Sequence, residues 1–140
     1  MQAYDETNIF ARILRGEIPC TKVYEDDVCL AFMDIMPQVE GHVLVIAKAA
    51  SRTLLDTDPQ VLAALMPRVQ AVGRAAVKAF GADGLTLMQF SEAAGGQTVF
   101  HLHFHLLPRR DGVPMRPHEG PMAAAEVLER QARLIRAELA

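Results

Sequence analysis

Hydrophobic and polar residues alternate most regularly over positions 98–107, where three histidines stand at every second position. This period is that of a β-strand, in which successive side chains point to opposite faces of the sheet. The pattern predicts a strand over 98–107 with the histidines on one face and apolar residues facing the core. The histidines are His101, His103 and His105, and the predicted core residues are Phe100, Leu102, Phe104 and Leu106.

Shorter apolar runs elsewhere in the chain predict the rest of a sheet. The runs at 21–25, 28–33, 42–46 and 85–90 are typical of strands. With the histidine strand they predict a five-stranded, mainly antiparallel sheet. Asn8 can cap a short helix over 9–15, which Gly16 ends. The predicted fold class is therefore α+β.

Two longer helices follow from apolar residues at helical spacing. The first is expected to begin at Pro59, after the N-cap candidate Asp58, and to end before Gly81. Pro67 lies inside it and is expected to kink it or split it in two. A final amphipathic helix is expected within 122–139. The predicted buried stripe of the long helix is Leu62, Leu65, Met66, Val69, Val72, Ala76 and Phe80, and the final helix is marked by Val127, Leu128, Gln131, Leu134, Ile135 and Glu138.

Length and composition exclude several classes of protein. The 140 residues fit one domain over 1–140, with a core over about 8–108 and a C-terminal extension. A net charge of −3 argues against a nucleic-acid-binding surface, which would be basic. There is neither a signal-peptide pattern nor an apolar run long enough to span a membrane. Cys20 and Cys29 have no metal-site or redox spacing. We therefore expect a soluble, cytoplasmic protein with reduced thiols.

Three aligned histidines allow three interpretations. They could be structural, but burying each imidazole would need its own hydrogen-bond partner. They could bind zinc, since His-x-His on a strand can supply two ligands. They could also perform phosphate chemistry, because imidazole is a competent nucleophile near neutral pH.

The residues just before the histidines favour the phosphate interpretation. Gly95 and Gly96 allow a tight turn that can present backbone N–H groups to an anion. Gln97 and Thr98 add neutral hydrogen-bond donors. No carboxylate lies between Ala93 and Leu107, which weakens the metal interpretation, although a site made of histidines alone remains open.

The segment from Gly95 to Leu107 resembles the signature of the histidine triad family of nucleotide hydrolases and transferases. The N-terminal half agrees in order and spacing with the Hint-type branch, so the resemblance covers about residues 8–108. The matching segments are Ile9-Phe10, Arg15-Gly16-Glu17-Ile18-Pro19, Glu25-Asp26-Asp27, Ala31-Phe32-Met33-Asp34-Ile35, Pro37-Gln38 and Gly41-His42-Val43-Leu44-Val45-Ile46.

The resemblance implies a role for each histidine. His103 would attack an α-phosphate and form a nucleotidyl-histidine, which water would then hydrolyse. His105 would hold a non-bridging oxygen and stabilise the developing charge. His101 and His42 would support these two residues by setting their tautomers and orientation.

The resemblance also implies a nucleotide-binding site. Asp34 falls where the family's ribose-binding aspartate stands. Phe10, Phe32 and Ile35 would contact the base in an apolar slot that Ile9, Ile13 and Leu44 complete. The remaining predicted substrate contacts are Ser91, Gly96, Gln97, Thr98 and Val99.

Three departures from the family pattern change these expectations. Asn8, Ala11 and Ala50 replace the two cysteines and one histidine of a structural zinc site, so no metal or other cofactor is expected. Phe90 or Ser91 replaces an asparagine that contacts ribose or phosphate. The tail after Leu107 lacks the Trp-Pro-Pro-Gly ending of the Hint enzymes, on which substrate preference partly depends.

The expected function is that of a nucleoside phosphoramidase or nucleotidyl hydrolase acting on purine nucleoside monophosphate derivatives. A dinucleoside polyphosphate hydrolase is the first alternative, favoured if Arg109 and Arg110 point at the extra phosphates. A nucleotide-binding protein with vestigial turnover and, more weakly, a metal-binding protein are the others.

The expected partners are a purine nucleotide and a second copy of the chain, with no nucleic acid and no membrane. Family members pair through the main helix and an edge strand. The long helix carries small residues beside its large stripe, and 85–90 would be a hazardous exposed edge. The alternative is that the C-terminal helix covers this surface within one chain. The small residues are Ala63, Ala64, Gly73, Ala75 and Ala79.

Overall fold

The computed structural model describes residues 2–140, which form five strands and three α-helices. In chain order these elements are α1 (Ile9–Leu14), β1 (Lys22–Glu25), β2 (Cys29–Met33), β3 (Val43–Ala47), α2 (Pro59–Ala79), β4 (Gly84–Met88), β5 (His103–Arg109) and α3 (Ala125–Leu139). A 3-10 turn, Ala93–Gly95, lies between β4 and β5.

The strands form a single antiparallel sheet in the order β1-β2-β3-β5-β4. This arrangement confirms the predicted α+β fold with a five-stranded antiparallel sheet. The histidine strand β5 lies inside the sheet, paired with β3 on one side and β4 on the other. β4 is an edge strand.

The two faces of the sheet carry different neighbours, and β5 contributes to both. Phe104 and Leu106 pack into the main core, under α2 and α3. His103 and His105 alternate with them and face the side on which α1 lies, where Phe10 packs against Phe32. The period-two pattern therefore places the core residues Phe104 and Leu106 on one face of the sheet and the histidines His103 and His105 on the other.

The predicted strand over 98–107 is too long at its N-terminal end. β5 begins at His103 because the preceding residues bond elsewhere: the Leu102 N–H donates to the Ser51 carbonyl over 2.8 Å. Leu102 is still fully buried in the core. Phe100 is not a core residue as predicted; it is half-buried, and the Arg52 guanidinium lies 4.2 Å from its ring centroid.

α2 is one continuous helix of 21 residues, so the predicted split at Pro67 is wrong. Its start agrees with prediction, since Asp58 caps it by accepting from the Gln60 N–H over 2.8 Å. Pro67 and Ala63, the residue one turn earlier, are both exposed, so water can satisfy the carbonyl that proline leaves unbonded. Met66 is also exposed, at 38%, and does not belong to the buried stripe.

α3 packs on α2 and on β1, with Leu128, Ala132 and Ile135 buried. Leu134, which was part of the predicted apolar pattern, is 46% exposed. Within residues 2–140, no helix is both long and apolar enough to cross a membrane.

Candidate active site

His103 presents one unprotonated nitrogen to a pocket. Its Nδ1 lies 2.6 Å from the His101 backbone carbonyl oxygen, which can only accept a hydrogen bond. The Nδ1 atom must therefore carry the proton of the neutral ring, and Nε2 keeps its lone pair. His103 is one of the residues that line the pocket. A histidine with its Nε2 lone pair free is the form that can act as a nucleophile.

His42 fixes the opposite tautomer on His105. The Gln38 backbone N–H donates to His42 Nδ1 over 3.1 Å, so the proton of the neutral His42 ring is on Nε2. That Nε2 donates in turn to His105 Nδ1 over 3.0 Å. His105 then carries its proton on Nε2, where it can donate to a substrate oxygen. The two neighbouring imidazoles on β5 are thus prepared for different roles, one as nucleophile and one as donor.

Local structure holds His42 at the start of this chain of bonds. Gly41 has φ +84°, and a Cβ there would lie 2.5 Å from the Phe80 ring, so only glycine fits the turn. The Gly41 N–H donates to Gln131 of α3 over 3.1 Å. The His42 carbonyl accepts from the Asp34 N–H over 3.0 Å. Together these bonds connect the backbone at the start of β3 to the end of β2 and to α3, and so hold His42 in place.

His101 lies outside β5 and has two partners of its own. Its Nε2 donates to the Ala47 carbonyl over 2.6 Å, and the Tyr4 hydroxyl therefore donates to its Nδ1 over 2.5 Å. His101 is completely buried. Its ring does not face the substrate; its backbone carbonyl orients His103. The supporting role that the family resemblance implies for His101 stays a prediction.

Burial keeps these imidazoles neutral at physiological pH. Desolvation lowers the pKa of His103 and of His42 to about 4 each. The pKa of His105 falls to about 3, through desolvation and then through the charges of its histidine neighbours. Desolvation also lowers the pKa of His101. The tautomers set by the hydrogen bonds are therefore the working forms of these rings.

An apolar pocket of about 200 Å³ opens beside His103 and His105. All six residues of the predicted apolar slot line it: Ile9, Phe10, Ile13, Phe32, Ile35 and Leu44. Asp34 also lines it, and burial raises the pKa of its carboxyl group. One carboxylate oxygen of Asp34 accepts from the Met36 N–H over 2.8 Å. The structure therefore brings the six apolar residues and Asp34, which the family resemblance assigned to one site, together around one pocket.

The loop before β5 differs from the predicted anion cradle. The backbone N–H groups of Gly95, Gly96 and Gln97 donate to carbonyls of the same loop. The Gln97 side chain is buried and holds the loop, accepting from the Glu92 N–H and donating to the carbonyls of Arg52 and Val99. These bonds explain why Gly96 and Gln97 are not among the residues that line the pocket, whereas Thr98 and Val99 are.

Ser91 and Phe90 stand where the family has an asparagine, and neither replaces its amide. The Ser91 hydroxyl donates to the Gln89 side chain over 3.1 Å and is absent from the pocket lining. The Phe90 ring instead packs edge-on against His105, with 5.7 Å between centroids. The same ring lies 3.2 Å from where a Cβ of Gly96 would stand. Phe90 thus shapes the wall behind His105.

Asp34, His42 and His105 offer ligand atoms within 4.8 Å of one another, a set that could hold a metal ion. The hydrogen bonds of His42 argue against metal binding by these three residues. His42 Nδ1 already accepts from a backbone N–H, so its Nε2 is protonated. A metal ion could bind Nε2 only by displacing that proton and leaving an anionic imidazole. The donor set therefore fits a chain of hydrogen bonds better than a metal centre.

Asn8, Ala11 and Ala50, where the family resemblance implies the ligands of a zinc site in some relatives, have other surroundings here. Asn8 caps α1 by accepting from the Ala11 N–H over 2.9 Å. Ala11 is buried and Ala50 is exposed, and neither offers a ligand atom. Tyr4 forms a hydrogen bond with His101 Nδ1.

Three residues of the site were not predicted from the sequence. His118 comes from the tail after β5 and lines the pocket. Tyr4 and Gln38 act through hydrogen bonds to His101 and His42. Tyr4 is 97 residues from its partner, and such pairing cannot be inferred from local patterns. His118 could have been noticed as the only histidine outside the matching segments.

The arginines of the tail point away from the histidines. Arg109 donates to the Thr86 hydroxyl over 3.1 Å, and Arg110 donates to the Phe80 carbonyl. Neither residue lines the histidine pocket. The dinucleoside polyphosphate alternative was favoured only if these two arginines point at the extra phosphates of the substrate, and this condition is not met.

Comparisons with known proteins agree with this geometry. Residues 15–112 match the sequence profile of the HIT domain. The chain is 45% identical over 103 residues to adenylylsulfatase HINT3 of Arabidopsis thaliana, covering 74% of this chain but only about half (52%) of that protein. It is 37% identical over 116 residues to the purine nucleoside phosphoramidase of Escherichia coli, covering 82% and 98% of the two chains. The crystal structure of a HIT-like protein from Bartonella henselae superposes with a TM-score of 0.94 at 54% identity, covering 99% of this chain and 100% of that one.

Proposed function

The chain belongs to the HIT domain family and is a nucleotide hydrolase of that type, and we propose that it cleaves purine nucleoside phosphoramidates at the α-phosphorus. The observation that carries the proposal is the His103 tautomer: the His101 carbonyl accepts from the Nδ1–H, which leaves the Nε2 lone pair free, and His103 lines an apolar pocket. Attack of a histidine on phosphorus requires a neutral imidazole, because a protonated ring has no free electron pair to form the new bond.

The reaction has two steps. In the first, His103 Nε2 forms a bond to the α-phosphorus while the bond from phosphorus to the leaving group breaks. The leaving group departs with that electron pair and takes a proton from solvent. The imidazole becomes a positively charged nucleotidyl-histidine whose Nδ1–H still donates to the His101 carbonyl, and this hydrogen bond stabilises the charge.

In the second step, water attacks the same phosphorus. The bond to Nε2 breaks, its electron pair returns to His103, and water gives up one proton to solvent. His105 Nε2–H donates to a non-bridging oxygen in both steps, where negative charge develops. The Gln38–His42–His105 hydrogen bonds keep that donor oriented throughout.

The pocket supports a nucleoside as the constant part of the substrate. Apolar side chains around Phe10 and Phe32 suit a purine ring, and the Asp34 carboxylate can accept hydrogen bonds from the ribose hydroxyls. Thr98 and Val99 line the same pocket near the histidines. We propose Thr98 as the neutral donor near the phosphate, and Gly96, Gln97 and Ser91 as residues that shape the loop.

The proposed leaving group is an amine. One relative is named a purine nucleoside phosphoramidase and another an adenylylsulfatase. Both names describe a nucleotidyl group transferred from a variable partner. The phosphoramidase is matched over nearly its whole length, whereas the adenylylsulfatase is matched over about half, so the first supports the proposal more directly.

An activity panel tests this proposal. Adenosine phosphoramidate, adenylyl sulfate and a dinucleoside polyphosphate are supplied at equal concentration, and release of adenosine monophosphate (AMP) is followed by chromatography. We expect the highest kcat/KM for the phosphoramidate. A higher value for either other substrate would change the leaving group, and AMP binding without any turnover would favour a binding protein with vestigial activity.

Quenching during turnover with a denaturant at alkaline pH tests the intermediate itself. With a labelled nucleotide, protein-bound label should appear and should survive in base but be lost in acid, as expected of a phosphorus–nitrogen bond. Label that stays in solution at every time point would argue for direct attack by water.

A further inference from the structure

The segment after β5 folds back across the histidine pocket. The Arg116 N–H donates to the Gln38 carbonyl over 2.7 Å, and the Gln38 side chain donates to the Arg116 carbonyl over 3.2 Å. Further along the tail, the Ala123 N–H donates to the Ile35 carbonyl over 2.9 Å. These two anchors stand on either side of His118 and fasten the tail to the segment that follows Asp34.

The anchored tail brings His118 to the reacting groups. Its ring lies among the residues that line the nucleotide pocket, with 6.3 Å between its centroid and that of His105. Two nitrogen atoms that donate to different oxygens of one phosphate group lie roughly 5–7 Å apart. The separation of the two rings is therefore compatible with both contacting the same phosphate.

The pocket is short of donors for an anion. Among the described residues that line it, the only basic side chains are His103, His105 and His118, and there is no lysine or arginine. His103 uses its Nε2 as an electron-pair donor to phosphorus, and His105 supplies one N–H. His118 is the remaining basic group that can donate to a phosphate oxygen.

We propose that His118 is a substrate-binding residue that donates a hydrogen bond to the α-phosphate of the bound nucleotide. The proposal rests on the nucleotide hydrolase function proposed above. The HIT profile matches residues 15–112, so His118 lies beyond the matched domain, in the tail that follows β5. The His118 side chain also interacts electrostatically with His105 and with Asp34, in agreement with its place in the pocket lining.

The test compares ligands with and without the phosphate. Binding of AMP and of adenosine to the full-length protein is measured by calorimetry for wild type and for His118→Ala. We expect AMP to bind about 10-fold more weakly to the variant, the usual magnitude for loss of a hydrogen bond to a charged group, while adenosine binding changes less than about twofold. His118→Gln, which keeps an N–H donor, should recover part of the loss.

Glu119→Gln is the matched control, since it alters a neighbouring exposed tail residue and its charge. It should leave both affinities unchanged. Thermal unfolding checks the fold of each variant, and the backbone anchors at Arg116 and Ala123 are untouched. Equal losses for AMP and adenosine, or no loss for either, would overturn the role of His118. A wild-type protein that binds neither ligand would overturn the proposed function as well, which separates the two failures.

Discussion

The Tyr4 hydroxyl donates a hydrogen bond to His101 Nδ1 over 2.5 Å and so links the N-terminal segment to the residues just before β5. A restraint on His101 also affects the orientation of His103, because the His101 backbone carbonyl accepts a hydrogen bond from the Nδ1–H of His103. Burial raises the pKa of Tyr4, which keeps its hydroxyl protonated and able to donate. Hydrogen bonds thus engage both ring nitrogens of His101, one with Tyr4 and one with the Ala47 carbonyl.

Tyr4→Phe should lower kcat by about 10-fold, because small displacements of a nucleophile reduce rate steeply. KM should change little, since Tyr4 does not line the nucleotide pocket. Tyr24→Phe is the control, as the Tyr24 hydroxyl donates to Asp26 over 2.7 Å on another part of the surface. Each variant should lose about 1 kcal/mol of unfolding free energy. Equal kcat values for the two variants would show that Tyr4 has no positioning role.

His103→Ala should lower turnover by at least about 10³-fold, because no other unprotonated nitrogen is held in the same way. The binding affinity for AMP should remain within a few-fold of wild type. His103→Gly should regain measurable turnover when imidazole is added, since the small molecule can enter the vacated space. Wild-type turnover in His103→Ala would remove the assignment of the nucleophile.

Turnover and stability should both depend on pH through the buried imidazoles. kcat/KM should be constant near neutrality and fall as the pH approaches about 4, where His103 and His42 become protonated. Between about pH 4 and the ordinary histidine pKa of about 6.5, the unfolded chain binds more protons than the folded one. Stability should therefore be complete above about pH 6.5 and be lost as the pH falls through this window.

Each such histidine contributes up to about 3 kcal/mol to this loss. Urea unfolding at a series of pH values measures it. His103→Gln should flatten the curve below pH 6.5, because it removes one buried titrating ring. A flat curve for the wild-type protein would mean that these imidazoles are not desolvated in solution.

The purified protein should contain no stoichiometric zinc, and its turnover should survive a chelator. The residues at the expected zinc positions offer no ligands, and hydrogen bonds occupy the nitrogens of His101 and His42. Elemental analysis after gel filtration measures the metal content. One tightly held zinc ion per chain, removed together with activity, would contradict this and revive the metal interpretation of Asp34, His42 and His105.

Local patterns predicted most of the fold because strand and helix periods report directly on burial. They predicted the face that His103 and His105 share, whereas the slot around Phe10 and Phe32 was expected only from the family resemblance. Local patterns failed where the surroundings of a residue determine its place. Phe100 packs under Arg52 from a distant segment rather than in the core, and Pro67 is tolerated because it lies on the solvent-exposed side of α2. His118 reaches the site only through tail contacts to Gln38 and Ile35, which no periodicity encodes.

The protein should form a homodimer through α2 and the edge strand β4. Leu85 and Leu87 on β4 remain 41% and 47% exposed, and Met66 on α2 is 38% exposed. α3 covers another part of α2 within the chain, so it leaves this apolar edge uncovered. An exposed apolar edge strand invites pairing, and a two-fold pair would close it.

Light scattering at micromolar concentration should give twice the mass of one chain. Leu87→Glu should shift the protein to monomer without unfolding it, because the new carboxylate would be buried unpaired in the interface. Leu134→Glu is the matched control: it places the same charge at an equally exposed leucine of α3, 46% exposed, and should leave the dimer intact. A monomeric wild-type mass would refute the dimer, and dissociation by Leu134→Glu alone would move the interface to α3.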